Sequence, residues 1–116
     1  MTSENRPRRP FTVTIRFSVS PSDQAELTEM VTTMIMEIGP FMASQNGFRS
    51  FRCHRSLDGS SVMNYIQWDS IEDHERVMAG PEMEAAGGAL MEWVEQGRAH
   101  ISTEVYEMIS VIENSP

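Results

Sequence analysis

An α+β fold with elements in the order βαββαβ is what this sequence predicts, and three observations carry it. Residues 11 to 19 alternate, with Phe11, Val13, Ile15, Phe17 and Val19 on one side and Thr12, Thr14, Arg16 and Ser18 on the other. That period of two marks a half-buried strand. Two further strand-like runs, Phe48 to Arg55 and Val62 to Trp68, flank Ser56-Leu57-Asp58-Gly59-Ser60, a stretch with hairpin chemistry. Between and after these runs lie helical stripes punctuated by glycine and proline.

Along the chain, the first ten residues, MTSENRPRRP, are polar with two prolines and read as a flexible tail ahead of a domain over 11–112. Arg8-Arg9 does not open an export signal, because an alternating run containing Arg16 follows where an unbroken apolar one is needed. Ser20-Pro21-Ser22-Asp23 predicts a helix start with Ser20 as cap. Leu27, Met30, Val31, Met34, Ile35 and Ile38 then paint one helical face, and Gly39-Pro40 is expected to end it, since proline disfavours helical geometry in the residue before it. The hairpin is predicted as a type I turn at Leu57-Asp58 with Gly59 left-handed, pairing Ser56 with Ser60. That register gathers Phe48, Ser50, Arg52, His54, Val62, Asn64, Ile66 and Trp68 on one face; a two-residue Asp-Gly turn would shift it by one and part His54 from Asn64. Asp69-Ser70 caps a short helix that Gly80-Pro81 breaks. A further helix over roughly residues 82 to 95 turns Met83, Ala86, Leu90, Met91 and Val94 inward, with Gly87-Gly88 weakening or kinking its middle. Arg98 to Val111 is the last and longest strand. The order is that of the split βαβ, or ferredoxin-like, arrangement.

A chain of 116 residues and 13.1 kDa has room for one core. Acidic residues outnumber basic ones 17 to 9, a net charge of −8 that repels phosphate backbones and argues against nucleic acid. No run approaches the roughly 18 apolar residues of a membrane span. The single cysteine, Cys53, cannot form an internal disulfide and fits a reducing cytoplasm. All 9 basic residues are arginine, so lysine-based covalent catalysis is excluded. The 10 methionines either replace leucine in packing or line an adaptable apolar cavity.

Nucleotide-loop, nucleophile-elbow and paired-cysteine motifs are absent. His54, His74, His100 and Cys53 are scattered, and Cys53 and His54, adjacent on a strand, point to opposite faces, so no metal is expected. A lone histidine is enough for haem, and no residue points to one. A four-stranded sheet with helices on one face leaves its other face to be covered. If that face carries Trp68, Asn64 and His54, a second copy packed sheet to sheet would cover it, with the last strand crossing to the partner. The expected assembly is a dimeric α+β barrel with a cavity in each protomer.

Asn64 stands out, because a strand interior disfavours asparagine and burial demands hydrogen-bond partners. Facing a cavity, its amide donates to and accepts from a ligand carbonyl or phenol; otherwise it satisfies backbone at a bulge. Trp68 on the same face offers an apolar wall and one N–H donor, or simply packs.

Gly47-Phe48, His54-Arg55-Ser56-Leu57-Asp58-Gly59 and Asn64-Tyr65-Ile66-Gln67-Trp68, with Ser70 beyond, resemble the antibiotic biosynthesis monooxygenase family. More narrowly they are similar to the small cofactor-independent oxygenases of aromatic polyketide pathways, the anthrone oxygenases. The similarity covers roughly residues 11 to 108 and is sharpest from 47 to 70. It implies a homodimeric barrel that needs no cofactor and oxidises a polycyclic phenolic or anthrone-type intermediate to a quinone with O2. Asn64 and Trp68 match the residues that the family's oxygenases use. On that chemistry Asn64 bonds the substrate oxygen and the Trp68 N–H sits near a peroxide intermediate. His54 moves a proton or faces solvent, and Arg52 balances an anionic substrate or pairs with a surface carboxylate. Phe48 and Ile66 line the ring site. His74 stands where some of these oxygenases carry a tyrosine, as a substrate contact or a solvated helix residue. The alternatives are a polyketide cyclase or isomerase on the same scaffold, and a non-catalytic binder of a hydrophobic metabolite.

Overall fold

The structure is a computed structural model that describes residues 10–114. The tail with Arg6, Arg8 and Arg9 lies outside the described residues. Nine residues of alternating chemistry form β1 (Phe11–Val19), and β2 (Phe48–Arg55), β3 (Ser61–Trp68) and β4 (Ala99–Glu107) complete an antiparallel sheet of order β2-β3-β1-β4. The helices α1 (Gln24–Ala43), α2 (Ile71–Met78), α3 (Pro81–Ala86) and α4 (Gly88–Glu95) cover one face of it. This is the ferredoxin-like α+β arrangement. The last strand is shorter than the sequence suggests and ends at Glu107.

Two local departures have physical causes. Ser20 makes no side-chain cap, and the chain enters α1 through a 3-10 turn at Pro21–Asp23 closed by the Asp23 N–H on the Ser20 carbonyl at 2.9 Å. At the other end Gly39-Pro40 does not stop the helix, which runs through Pro40 to Ala43. Proline there forfeits one backbone hydrogen bond, but stopping would strip Met42, 1% exposed and packed with Ile38 and Trp68, from the core. Burying such a side chain is worth about 1.5–3 kcal/mol. The second helical region is broken at Gly87 into α3 and α4, in line with the glycine pair.

The hairpin register differs from the expected one. The turn itself is as expected, with the Gly59 N–H on the Ser56 carbonyl at 3.3 Å and Gly59 left-handed at φ 82. Ser56, however, pairs with Ser61, its N–H donating to the Ser61 carbonyl at 2.9 Å, so four residues lie in the loop. The extra residue is held by side chains: the Ser60 N–H donates to Asp58 Oδ1 at 2.9 Å and to Ser56 Oγ at 3.0 Å. These bonds from Ser60 and Ser56 hold the exposed Asp58 carboxyl at about 2. Gln24 on α1 clamps the strand ends from outside, donating from Nε2 to the carbonyls of Ser56 at 2.9 Å and Ser61 at 3.0 Å.

The consequence is a slip by one residue, which exchanges the faces of β2. Cys53 now lies across from Asn64 and Phe51 from Ile66, while Arg52 and His54 pair with Tyr65 and Met63 on the outer face. A bulge between Phe48 and Ser50 restores Phe48 to the face of Trp68. Just before β2, Gly47 is left-handed at φ 85, and a Cβ there would run into the Asp73 carboxylate. Glycine lets the chain pass that close to α2, where the Ser70 hydroxyl caps the helix by accepting from the Asp73 N–H at 3.2 Å.

Val62, Asn64, Ile66 and Trp68 all turn inward, beneath the helices. The face they were expected to leave bare for a second copy is instead the one bearing Thr12, Thr14, Tyr65 and Gln67, so the uncovered face is polar rather than apolar. The core under the helices has two parts. Phe17, Leu27, Val31, Val62, Leu90, Trp93 and Ala99 form one, and Val13, Ile38, Met42, Ile66, Trp68 and Val77 the other. Ile15 packs against both. Among the described residues, no helix is long and apolar enough to cross a membrane.

Candidate functional site

A cavity of about 250 Å³ opens where the two parts of the core meet. Its floor is the sheet: Ile15 from β1, Phe51 from β2, and Asn64 and Ile66 from β3. Its roof is helical and soft, with Met34 of α1, Met78 of α2, Met83 of α3 and Met91 of α4 over the floor. Four unbranched thioethers can re-pack around a ligand's outline. Leu90 and Ile101 close the side toward β4, and Glu84 and Gly87 line the mouth by the α3–α4 break.

Asn64 is 2% exposed, and its Oδ1 is buried with no hydrogen-bond partner among the described residues. An unsatisfied buried polar atom costs about 1–3 kcal/mol, and such exceptions call for an explanation. Here the atom belongs to a side chain on the floor of an apolar cavity. The amide accepts from a ligand O–H through its oxygen, and turned about its last torsion it donates through N–H2 to a ligand carbonyl or oxyanion.

Trp68 is 0% exposed and also keeps its Nε1–H without a partner. Its indole is wedged between two edges: Phe48 at 5.5 Å between ring centroids and His74 at 5.7 Å. His74 reaches it from α2, and its Nδ1 is likewise buried and unpartnered. Burial pushes the His74 imidazole below its ordinary value, with Glu75 pulling weakly the other way. A depressed folded-state value means that the unfolded chain binds the proton more readily, so this histidine's contribution to stability is complete above about 6.5 and is lost as pH falls toward the folded-state value. The wild-type urea midpoint is therefore expected to drop more between neutral pH and mildly acidic pH than that of His74→Gln. Equal slopes would remove His74 from the buried, neutral role.

The structure thus brings Asn64 and Ile66 to the cavity and places Phe48, Trp68 and His74 together as an aromatic cluster at the end of the same strand. It does not bring Arg52 or His54 to either; the slipped register puts both on the opposite face, exposed. Phe51, Glu84, Gly87 and Ile101 escaped the sequence reading. The methionine count hinted at the roof, whereas Phe51 needed the register. Cys53 shares the face of Asn64 but is exposed at the sheet edge, with local burial pushing its thiol upward, an unreactive setting. Among the described residues, no three His, Cys, Asp or Glu side chains cluster as a metal site requires.

Comparison with known proteins identifies the family and the fold. The family model described as antibiotic biosynthesis monooxygenase matches residues 10–88. The tetracenomycin-F1 monooxygenase of Streptomyces glaucescens is 34% identical over 74 residues, which is 64% of this chain and 63% of that protein. This chain therefore spans less than two thirds of that relative's length. In structure it is similar to SnoaB, a cofactor-independent oxygenase from Streptomyces nogalater, with a TM-score of 0.66 and 18% identity over 91% of this chain and 99% of that one. The ActVA-Orf6 monooxygenase of Streptomyces coelicolor, solved with nanaomycin D, gives a TM-score of 0.67 and 24% identity over 98% and 100% of the two chains. Both structural likenesses are likenesses of fold.

Proposed function

This chain belongs to the antibiotic biosynthesis monooxygenase family, and on that basis we propose that it is a cofactor-independent monooxygenase that oxidises a polycyclic phenolic or anthrone-type polyketide intermediate to a quinone with O2. The observation that carries the reading is the buried, unpartnered amide oxygen of Asn64, the one polar side chain on the floor of the cavity, whose amide presents N–H2 at that place when turned about its last torsion. The names of its relatives supply the reaction class.

The chemistry asks little of the protein. An anthrone-type ring carbon bears two hydrogens and is acidic, because loss of a proton gives an aromatic enolate. Asn64, donating to the ring oxygen, favours that enolate. The enolate passes one electron to O2, the radical pair joins as a carbon-bound peroxide, and loss of water leaves the quinone carbonyl. One oxygen atom ends in the quinone and the other in water, and the substrate supplies all four electrons. The cavity contributes orientation and exclusion of water. At about 250 Å³ it falls short of the about 300–1,000 Å³ of ligand pockets, so a fused ring system enters by displacing the methionine roof. In this reading Trp68 and His74 anchor the end of the floor strand beside the cavity, and the single free thiol, Cys53, suits a reducing cytoplasm.

The test is oxygen consumption with anthrone as probe, chelator present, beside an anaerobic control. Oxygen uptake matched one to one by quinone, well above the spontaneous rate, is the expected result. Binding without acceleration would overturn the oxygenase and leave a binder or an isomerase.

We further propose a homodimer. A groove of about 440 Å³ runs between the outer sheet face at Thr14 and Tyr65 and the segment from Met108 to Val111, and Ile109, Val111 and Ile112 stand 79%, 60% and 97% exposed nearby. A second copy would bury them. Light scattering is expected to give twice 13.1 kDa; a particle of the monomer mass at working concentration would rule the dimer out.

A further inference from the structure

Of the residues that line the cavity, two carry polar side chains: Asn64 on the floor and Glu84 on α3. They differ in every respect that matters to a ligand. Asn64 is neutral and 2% exposed, whereas Glu84 is charged and exposed, which puts it at the mouth. No ion pair or side-chain hydrogen bond joins Glu84 to another described residue, so its charge is not spent on a neighbour. Gly87, three residues on and also lining the cavity, leaves the approach to that carboxylate open. Its backbone is ordinary, at φ −87 and ψ 0. A Cβ there would meet only the Met83 carbonyl, at 3.4 Å. Neither backbone conformation nor crowding calls for glycine at this point, and what it provides is space.

We propose that Glu84 sets the charge selectivity of the cavity. Its carboxylate accepts a hydrogen bond from a neutral hydroxyl on the outer edge of the ligand and turns away a ligand that carries a carboxylate there. At neutral pH a glutamate is acceptor-only, so a ligand hydroxyl can satisfy it and a ligand carboxylate can only repel it. The substrate class is therefore a neutral, peripherally hydroxylated polycycle, held by Asn64 at its buried end and Glu84 at its exposed one. This rests on the cavity being the ligand site, as in the proposed function, but not on the oxygenation itself. Two like charges near contact at a solvated rim repel enough to weaken binding about five- to tenfold, and salt screens the effect.

The experiment is calorimetric titration of wild type, Glu84→Gln and Glu84→Arg with two probes of one ring system, hydroxymethyl-anthraquinone and the matching anthraquinone carboxylate. It is run at low and at high salt. Glu84 is exposed on a short helix, so both variants should fold, and Asn64→Ala, which weakens both probes alike, controls for the site. Wild type is expected to favour the alcohol, Glu84→Gln to shift the affinity ratio about five- to tenfold toward the carboxylate, and Glu84→Arg to shift it further. The shift should shrink at high salt. An unchanged ratio in both variants, or no binding of either probe to wild type, would overturn the proposal. Selectivity that follows Glu84 in a protein showing no oxygen uptake would uphold it while removing the oxygenase.

Discussion

Asn64→Leu is expected to yield a protein that resists denaturant better than wild type and turns over far more slowly. The stability gain follows from the orphaned Oδ1: an apolar side chain removes the unsatisfied polar atom, worth up to about 1–3 kcal/mol, and leucine has the same number of side-chain heavy atoms, so the cavity beside it takes up its slightly bulkier methyl groups. The activity loss follows from the same amide, the one hydrogen-bonding group on the cavity floor. Removing a group that stabilises developing oxyanion charge costs about 100- to 1,000-fold in turnover. Opposite signs in stability and activity are what a residue kept for chemistry at the expense of packing should show. The measurement is paired: urea midpoints and oxygen uptake on the same preparations. Turnover near the wild-type rate would remove Asn64 from the chemistry, and a lowered midpoint would mean that its amide has a partner.

Trp68→Ala should produce the largest loss of stability of any substitution on the floor strand. The indole is 0% exposed and packed against Phe48, His74, Met42 and Ile38, and emptying such a site costs about 3–5 kcal/mol. Trp68→Phe separates the two roles of the side chain. It keeps an aromatic ring and discards a buried N–H that has no partner, so much of the packing loss is offset. A denaturant midpoint lowered steeply in the alanine variant and mildly in the phenylalanine one, with unchanged slope, is the expected pattern. Equal losses would show that the Nε1–H has a partner that matters to folding.

Much of this architecture was legible in the residues themselves. The alternation of Phe11–Val19 and the clean apolar phase of Val62, Ile66 and Trp68 marked the strands, though not that the apolar side of β3 lies beneath the helices, and Ser70 announced its helix by capping chemistry. What was not legible depends on contacts distant in sequence. The hairpin register turned on whether Ser60 belonged to a strand or to the loop, and the answer lies in its bonds to Asp58 and Ser56 and in a clamp from Gln24. One residue of slip sent His54 and Arg52 out of the site and brought Phe51 in. Helix α1 ran past Pro40 because Met42 has a core to join, which no local rule can see. Glu84 was invisible for a similar reason, since an exposed glutamate on a polar helix reads as solvated surface until a cavity mouth is found beneath it.

The division of the core has an optical consequence. Trp93 sits in one part, with the Arg98 guanidinium 3.6 Å above its ring, and Trp68 in the other, beside His74. These are the chain's 2 tryptophans, so each part of the core holds one fluorophore. Emission from Trp93→Phe therefore follows the Trp68 side alone, and emission from Trp68→Phe follows the other. Together they can show whether a ring system entering between the two halves disturbs both or lifts just one.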